Sequence, residues 1–218
     1  MKRNHEICPM QILLLAATEQ EISPFTNAGT GMDVLISGVG LPSAMYHLQK
    51  RMQQIDYDLI IQAGIAGSFN RRLVPGQTLW VKQDAFGDLG TEEKEIFSPV
   101  FDSGLADKNE FPFTNGWLLN ESEVTKKIEF NAAKAVTVNK VTDSRLQEQQ
   151  IISHFDPDIE SMEGAALHYV CLQENIPFLQ LRTISNYVGE RDKTKWKMKE
   201  AIMNLNTELL KLINELTN

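Results

Sequence analysis

A chain of 218 residues with 42% hydrophobic and 23% charged residues can bury one sizeable core, which excludes a disordered protein and suits a single medium-sized domain. Its formal net charge of −8 gives no general attraction to nucleic acid or to an anionic membrane, so neither is expected as a partner. Two cysteines, Cys8 and Cys171, are too few for a disulfide framework and point to a reducing compartment, the cytoplasm.

Residues 1–9 read as a short extension and residues 10–218 as one domain. Lys2 and Arg3 precede an apolar run at residues 12–17, loosely like a secretory leader. The run is only six residues long and is closed by Thr18 and Glu19, too short for a leader core or a membrane span. A buried first strand over residues 11–17 is expected instead. Further strands are expected at 33–37, 59–63, 78–83, 135–138 and 178–184, and helices at 41–54, 143–154, 162–174 and 194–216. The first, third and last strands are nearly continuous apolar runs, as strands covered on both faces should be. In the last helix Ile202, Leu205, Leu209, Leu212, Ile213 and Leu216 recur at helical spacing. The alternation predicts an α/β fold with a central mixed, mostly parallel sheet flanked by helices. Residues 87–117 carry Pro99, Gly104, Pro112 and Gly116 and read as an irregular excursion, a lid or an oligomer contact. The four lysines between 193 and 199 read as a solvated helix face.

Gly38-Val39-Gly40-Leu41-Pro42-Ser43 follows a strand and opens a helix. It nearly matches the G-x-G-x-x-G dinucleotide fingerprint, but serine replaces the third glycine and the segment follows the second strand. The other reading is a tight strand-to-helix turn. His5, His47, His154 and His168 form no ligand spacing, so no metal is expected.

Three polar segments stand where an α/β sheet gathers its ligand. Ala17-Thr18-Glu19-Gln20-Glu21 follows the first strand, Glu160-Ser161-Met162-Glu163-Gly164-Ala165-Ala166 opens a helix, and Arg182-Thr183-Ile184-Ser185-Asn186 ends a buried strand. Gly64-Ile65-Ala66-Gly67, Ser161-Met162-Glu163-Gly164-Ala165-Ala166 and Arg182-Thr183-Ile184-Ser185-Asn186 resemble, in that order, the motifs of the purine nucleoside phosphorylase and nucleosidase family. The resemblance runs over roughly residues 10–215. Within that family, Ala17-Thr18-Glu19-Gln20-Glu21, Asp88-Leu89-Gly90-Thr91-Glu92 and the run from Ser185 to Asp192 are most similar to the futalosine hydrolases.

The resemblance implies a phosphorylase/hydrolase-like fold, a homodimer or higher homo-oligomer, and a nucleoside substrate with no cofactor. It implies hydrolysis of futalosine to hypoxanthine and dehypoxanthinyl futalosine, on an alternative route to menaquinone. The rival activities are methylthioadenosine/S-adenosylhomocysteine nucleosidase and purine nucleoside phosphorylase. It makes Glu21 and Asn186 catalytic: Glu21 activates water, and Asn186 reads the base through an amide that both donates and accepts. Glu163 takes the ribose diol and Met162 packs on the sugar. Arg182 and Ser185 support them, Ile65, Val141 and Thr142 line the substrate site, and Arg191 meets a substrate carboxylate. Plainer readings stand beside these. Glu21 also reads as a solvated loop acid, Glu163 as a helix N-terminal acid, Met162 as core, and Asn186 as a turn residue.

Overall fold

A computed structural model describes residues 10–190 and 192–217. Elements follow in chain order: β1 Ile12–Ala16, α1 Glu19–Asn27, β2 Asp33–Ile36, α2 Leu41–Met52, β3 Leu59–Ser68, β4 Thr78–Phe86, β5 Gly90–Glu93, β6 Ile96–Pro99, β7 Leu118–Leu119, β8 Ala132–Thr137, α3 Arg145–Phe155, β9 Ile159–Ser161, α4 Gly164–Gln173, β10 Phe178–Tyr187 and α5 Met198–Thr217. The expected extension at 1–9, Cys8 and Arg191 lie outside the described residues.

The main sheet runs β10-β4-β8-β9-β3-β1-β2, and β10 also pairs with β3. Five strands (β3, β9, β8, β4 and β10) therefore close a ring, and β1 and β2 extend from β3. The β1–β2, β1–β3, β3–β10, β4–β8 and β8–β9 pairings are parallel; β4–β10, β3–β9 and β4–β7 are antiparallel. The α/β fold with a mixed, mostly parallel sheet is thus the one adopted.

Alternate side chains of β1 face opposite layers, as a strand with period two requires. Ile12, Leu14 and Ala16 pack with Ile22 and Phe25 of α1 and Leu205, Leu209 and Leu212 of α5. Leu13 and Leu15 pack with Leu48 of α2 and Leu167, Val170 and Cys171 of α4.

Several boundaries differ from expectation for physical reasons. Helix α1 is a full element: Thr18 and Glu21 form a reciprocal capping box that starts it. β3 continues five residues past its expected end, through Gly64 and Gly67. Glycine normally weakens a strand interior, but here the missing Cβ atoms leave room for side chains. A Cβ at Gly64 would lie 2.1 Å from Arg182 Nη1, and one at Gly67 would lie 3.2 Å from Val188 Cγ2. β10 runs on to Tyr187 across an irregularity between Ile184 and Asn186, so Asn186 is a strand residue and not a turn. The lysine-rich stretch is solvated as expected, but of its four exposed lysines only Lys199 lies on an α-helix. Lys193–Lys195 form a 3-10 turn, and α5 starts at Met198.

The 87–117 excursion is partly ordered structure. β5 and β6 pair as a hairpin, and Phe101 and Phe113 join Phe86 and Tyr169 in a cluster of rings. Among the described residues, no helix is long and apolar enough to cross a membrane.

Candidate active site

The segments after β1, β2, β8 and β9 and the C-terminal ends of β3 and β10 meet around one cavity of about 660 Å³. Glu21, Glu163 and Asn186 all line it, from α1, the start of α4 and β10. Ile65, Val141, Thr142, Met162 and Ser185 line it too.

Glu21 is not a solvated loop acid. It is buried, and its side chain is held at both oxygens. Oε2 accepts from Thr18 N (3.1 Å) and Thr18 Oγ1 (3.0 Å), and Oε1 accepts from Ile65 N (3.2 Å). Its backbone is fixed as well, because Asn206 Nδ2 donates to Glu21 O at 2.8 Å.

Glu163 is the N-cap residue of α4, yet its side chain makes no cap. The carboxylate turns to the cavity, where Oε1 accepts from Gly40 N at 2.9 Å. The glycine-rich turn thus has a use unrelated to a dinucleotide. Gly38 and Gly40 adopt positive φ (78° and 91°), which glycine tolerates, and α2 begins with its N-terminus aimed at a carboxylate. Burial is the largest influence on Glu163 and pushes its pKa up; Arg182 and the Gly40 N–H oppose this.

Asn186 is oriented from both ends. Ser185 Oγ donates to its Oδ1 (2.7 Å), and its Nδ2 donates to Tyr187 O (3.0 Å). One N–H and further acceptor capacity on Oδ1 are left for a ligand.

Arg182 does not reach the cavity. It is 1% exposed and stands behind the wall, where Nη2 donates to Gln62 Oε1 at 2.7 Å, and Gln62 Nε2 donates to Glu163 O at 3.4 Å. Its guanidinium and Glu21 flank Gly64. Thr142 is pinned by buried Glu160, which accepts from Thr142 N at 3.0 Å and from its hydroxyl. Burial pushes the Glu160 pKa up as well.

Sequence reasoning missed part of the wall. Thr18, Val39, Trp196, Met198 and Ile202 also line the cavity. Val39 is marked by its position after β2; Trp196 belongs to the stretch expected as a solvated face. Among the described lining residues, the acids Glu21, Asp143, Glu160, Glu163 and Glu190 outnumber the one cation, Lys193. The cavity therefore favours positive charge developing inside it. No residue of 87–117 lines this cavity; that segment borders a smaller one of about 240 Å³.

The sequence model of the Phosphorylase superfamily matches residues 21–217. The chain belongs to that superfamily. Futalosine hydrolase of Thermus thermophilus is 27% identical to it over 192 residues, 86% of this chain and 83% of that protein. A 5′-methylthioadenosine/S-adenosylhomocysteine nucleosidase of Listeria innocua is 26% identical over 174 residues, 75% of this chain and 72% of that protein. The crystal structure of a mutant Helicobacter pylori nucleosidase with 5′-methylthioadenosine in its active site superposes with a TM-score of 0.80 at 16% identity. It covers 95% of this chain and 100% of the other. That is a likeness of fold. In this chain the cavity opens where the strands of that fold end.

Proposed function

We propose that this member of the superfamily is an N-glycosyl hydrolase that cleaves futalosine to hypoxanthine and dehypoxanthinyl futalosine. The observation that carries the proposal is the convergence of Glu21, Glu163 and Asn186 on one cavity large enough for a nucleoside.

Glycosidic cleavage builds positive charge on the ribose. Glu163, locked by Gly40 N, accepts from the 2′- and 3′-hydroxyls and stabilises that charge. Glu21 orients the attacking water and takes its proton. Asn186 uses its remaining N–H toward a 6-oxo group and Oδ1 toward a protonated N7. An amide has no acidic proton to give, so N7 takes its proton from water. A 6-amino group would face that same N–H donor, and a buried mismatch of this kind discriminates strongly. Met162, Ile65, Val141 and Thr142 form the walls.

Hydrolysis is favoured over phosphorolysis by charge. A phosphate dianion beside Glu21, among the other acids of the lining, is repelled. Methylthioadenosine/S-adenosylhomocysteine cleavage is the second reading, because relatives with that activity in their names match at similar identity. The same proposal makes the protein a cytoplasmic homo-oligomer on an alternative route to menaquinone.

The test is base release from futalosine, methylthioadenosine and inosine, with and without phosphate. Hypoxanthine from futalosine without phosphate is expected. Adenine from methylthioadenosine with no hypoxanthine from futalosine would overturn the base assignment, and dependence on phosphate would overturn hydrolysis.

A further inference from the structure

An α-helix leaves its first N–H groups without partners, and the N-cap side chain normally satisfies one of them. In α4 the N-cap is Glu163, and its carboxylate is elsewhere, on Gly40 N. Two neighbouring strands supply the acceptors instead. Gly164 N donates to Ser161 Oγ at 3.3 Å, and Ala165 N donates to Thr137 Oγ1 at 2.8 Å. An N–H can only donate, so the Thr137 hydroxyl must send its own proton onward. It does so to Asp84 Oδ1 at 2.9 Å, which also accepts from Ala85 N at 2.9 Å. Asp84 and Thr137 are both fully buried.

The surroundings hold this pair in place. A Cβ at Gly164 would fall 2.2 Å from Asp84 Oδ2 and 2.1 Å from Gln180 Nε2, so the first turn of α4 rests directly on them. Gln180 lies between Asp84 and His168, and His168 Nδ1 donates to Leu118 O at 2.9 Å. Asp84 Oδ2, both amide atoms of Gln180 and His168 Nε2 are buried without a well-formed hydrogen bond. A buried polar chain of this kind is kept against its desolvation penalty.

We propose that Thr137 and Asp84 are positioning residues that cap α4 from outside, so that the Glu163 carboxylate stays free to grip the ribose and does not turn back to cap its own helix. This rests on the ribose role proposed for Glu163. Without the Thr137 hydroxyl, Ala165 N loses its acceptor, and the Glu163 carboxylate, at the N-cap position of the same helix, can supply one in its place. The change should appear only in contacts to the sugar. The base, read by Asn186 from β10, should bind as before.

The experiment compares the wild type with Thr137→Val, Thr137→Ser, Asp84→Asn and Asp84→Ala. KM and kcat are measured for whichever of futalosine and methylthioadenosine the wild type cleaves, and for its 2′-deoxy counterpart. The inhibition constant of the released free base is measured alongside. Thr137→Val should raise KM for the ribonucleoside about tenfold, the scale of one lost hydrogen bond. It should also erase the preference for ribose over 2′-deoxyribose and leave the inhibition constant of the base unchanged. Thr137→Ser and Asp84→Asn, which keep the hydroxyl and its acceptor, should behave as the wild type. Asp84→Ala should lose part of the ribose preference, and it decides the matter if Thr137→Val does not fold. A variant of either site that loses base and nucleoside binding equally would show a merely structural role and overturn the proposal. So would full ribose preference in both Thr137→Val and Asp84→Ala. A wild type with no ribose preference would refute the role of Glu163 itself, a separate failure.

Discussion

Replacing Gly64 by alanine should injure catalysis and stability together, because three groups share the space beside its Cα. A Cβ there falls 2.1 Å from Arg182 Nη1, 3.3 Å from Arg182 Cζ and 3.0 Å from Glu21 Oε1. Ordinary contacts need about 3.5 Å, so the guanidinium must retreat by more than about 1 Å. Arg182 has no room to do so: it is 1% exposed, and its Nη2 is bonded to Gln62 Oε1 at 2.7 Å. Overpacking costs about 1–3 kcal/mol, and a strained hydrogen bond to a charged group adds about 1–2 kcal/mol. A total near 3 kcal/mol lowers Tm by roughly 6–12 °C in a protein of this size. Glu21 Oε1, at 3.0 Å, must give by about 0.5 Å, so kcat should fall about 10-fold, less than the roughly 100-fold of a 1 Å misplacement. Thermal melts and base-release kinetics read the two effects separately. Gly67→Ala is the graded control. Its Cβ meets Val188 Cγ2 at 3.2 Å and Asn186 Nδ2 at 3.5 Å, so a milder loss is expected. A Gly64→Ala protein with wild-type Tm and kcat would refute the placement of Arg182 and Glu21 on either side of this backbone.

Glu163→Gln keeps an oxygen for Gly40 N but removes the charge. It should lower kcat/KM about 100- to 1000-fold and leave Tm unchanged or higher, as measured by kinetics and melts. Because burial pushes the Glu163 pKa up, activity should fall with decreasing pH while still above the ordinary glutamate range, near pH 4.3; a pH profile of kcat/KM reads this. Burial pushes the Asp84 pKa up to about 6 from 3.8. The folded state then holds this proton more tightly than the unfolded chain does. Its contribution to stability is present below about pH 4 and is lost as pH rises through about 6, on the order of 3 kcal/mol. Denaturant melts of wild type and Asp84→Asn should diverge as pH rises from 4 to 7, and parallel curves would count against this. Asn206→Ala removes the buried amide that accepts from Phe25 N (3.0 Å) and donates to Glu21 O (2.8 Å) and Ile202 O (2.7 Å). It should destabilise the protein by about 2–4 kcal/mol and lower kcat through Glu21; unchanged kinetics would show that Asn206 does not position Glu21.

The layered α/β fold was legible because it is written in local patterns. The apolar runs of β1, β3 and β10 and the spacing of Leu205, Leu209 and Leu212 in α5 mark buried strands and a one-sided helix whatever lies around them. Helix α1 was not among the expected helices, although Thr18-Glu19-Gln20-Glu21 has the spacing of a capping box. Hydropathy alone passes over it, because only Glu21, Ile22 and Phe25 of its nine residues are buried.

Residue identity by itself marked Glu21, Glu163 and Asn186 as two carboxylates and an amide with donors and acceptors to offer a ligand. Tertiary structure alone decided that they share one cavity and what holds each of them there. No sequence pattern says that Gly40 N holds Glu163, that Thr137 caps a helix twenty-eight residues away, or that Arg182 stands behind the wall and not in it. Nor does any pattern show that Trp196 turns into the cavity. The reason is physical. Strand and helix periods depend on neighbours two to four residues apart, whereas these contacts join atoms that only the assembled sheet and the helices packed on it bring within hydrogen-bond reach.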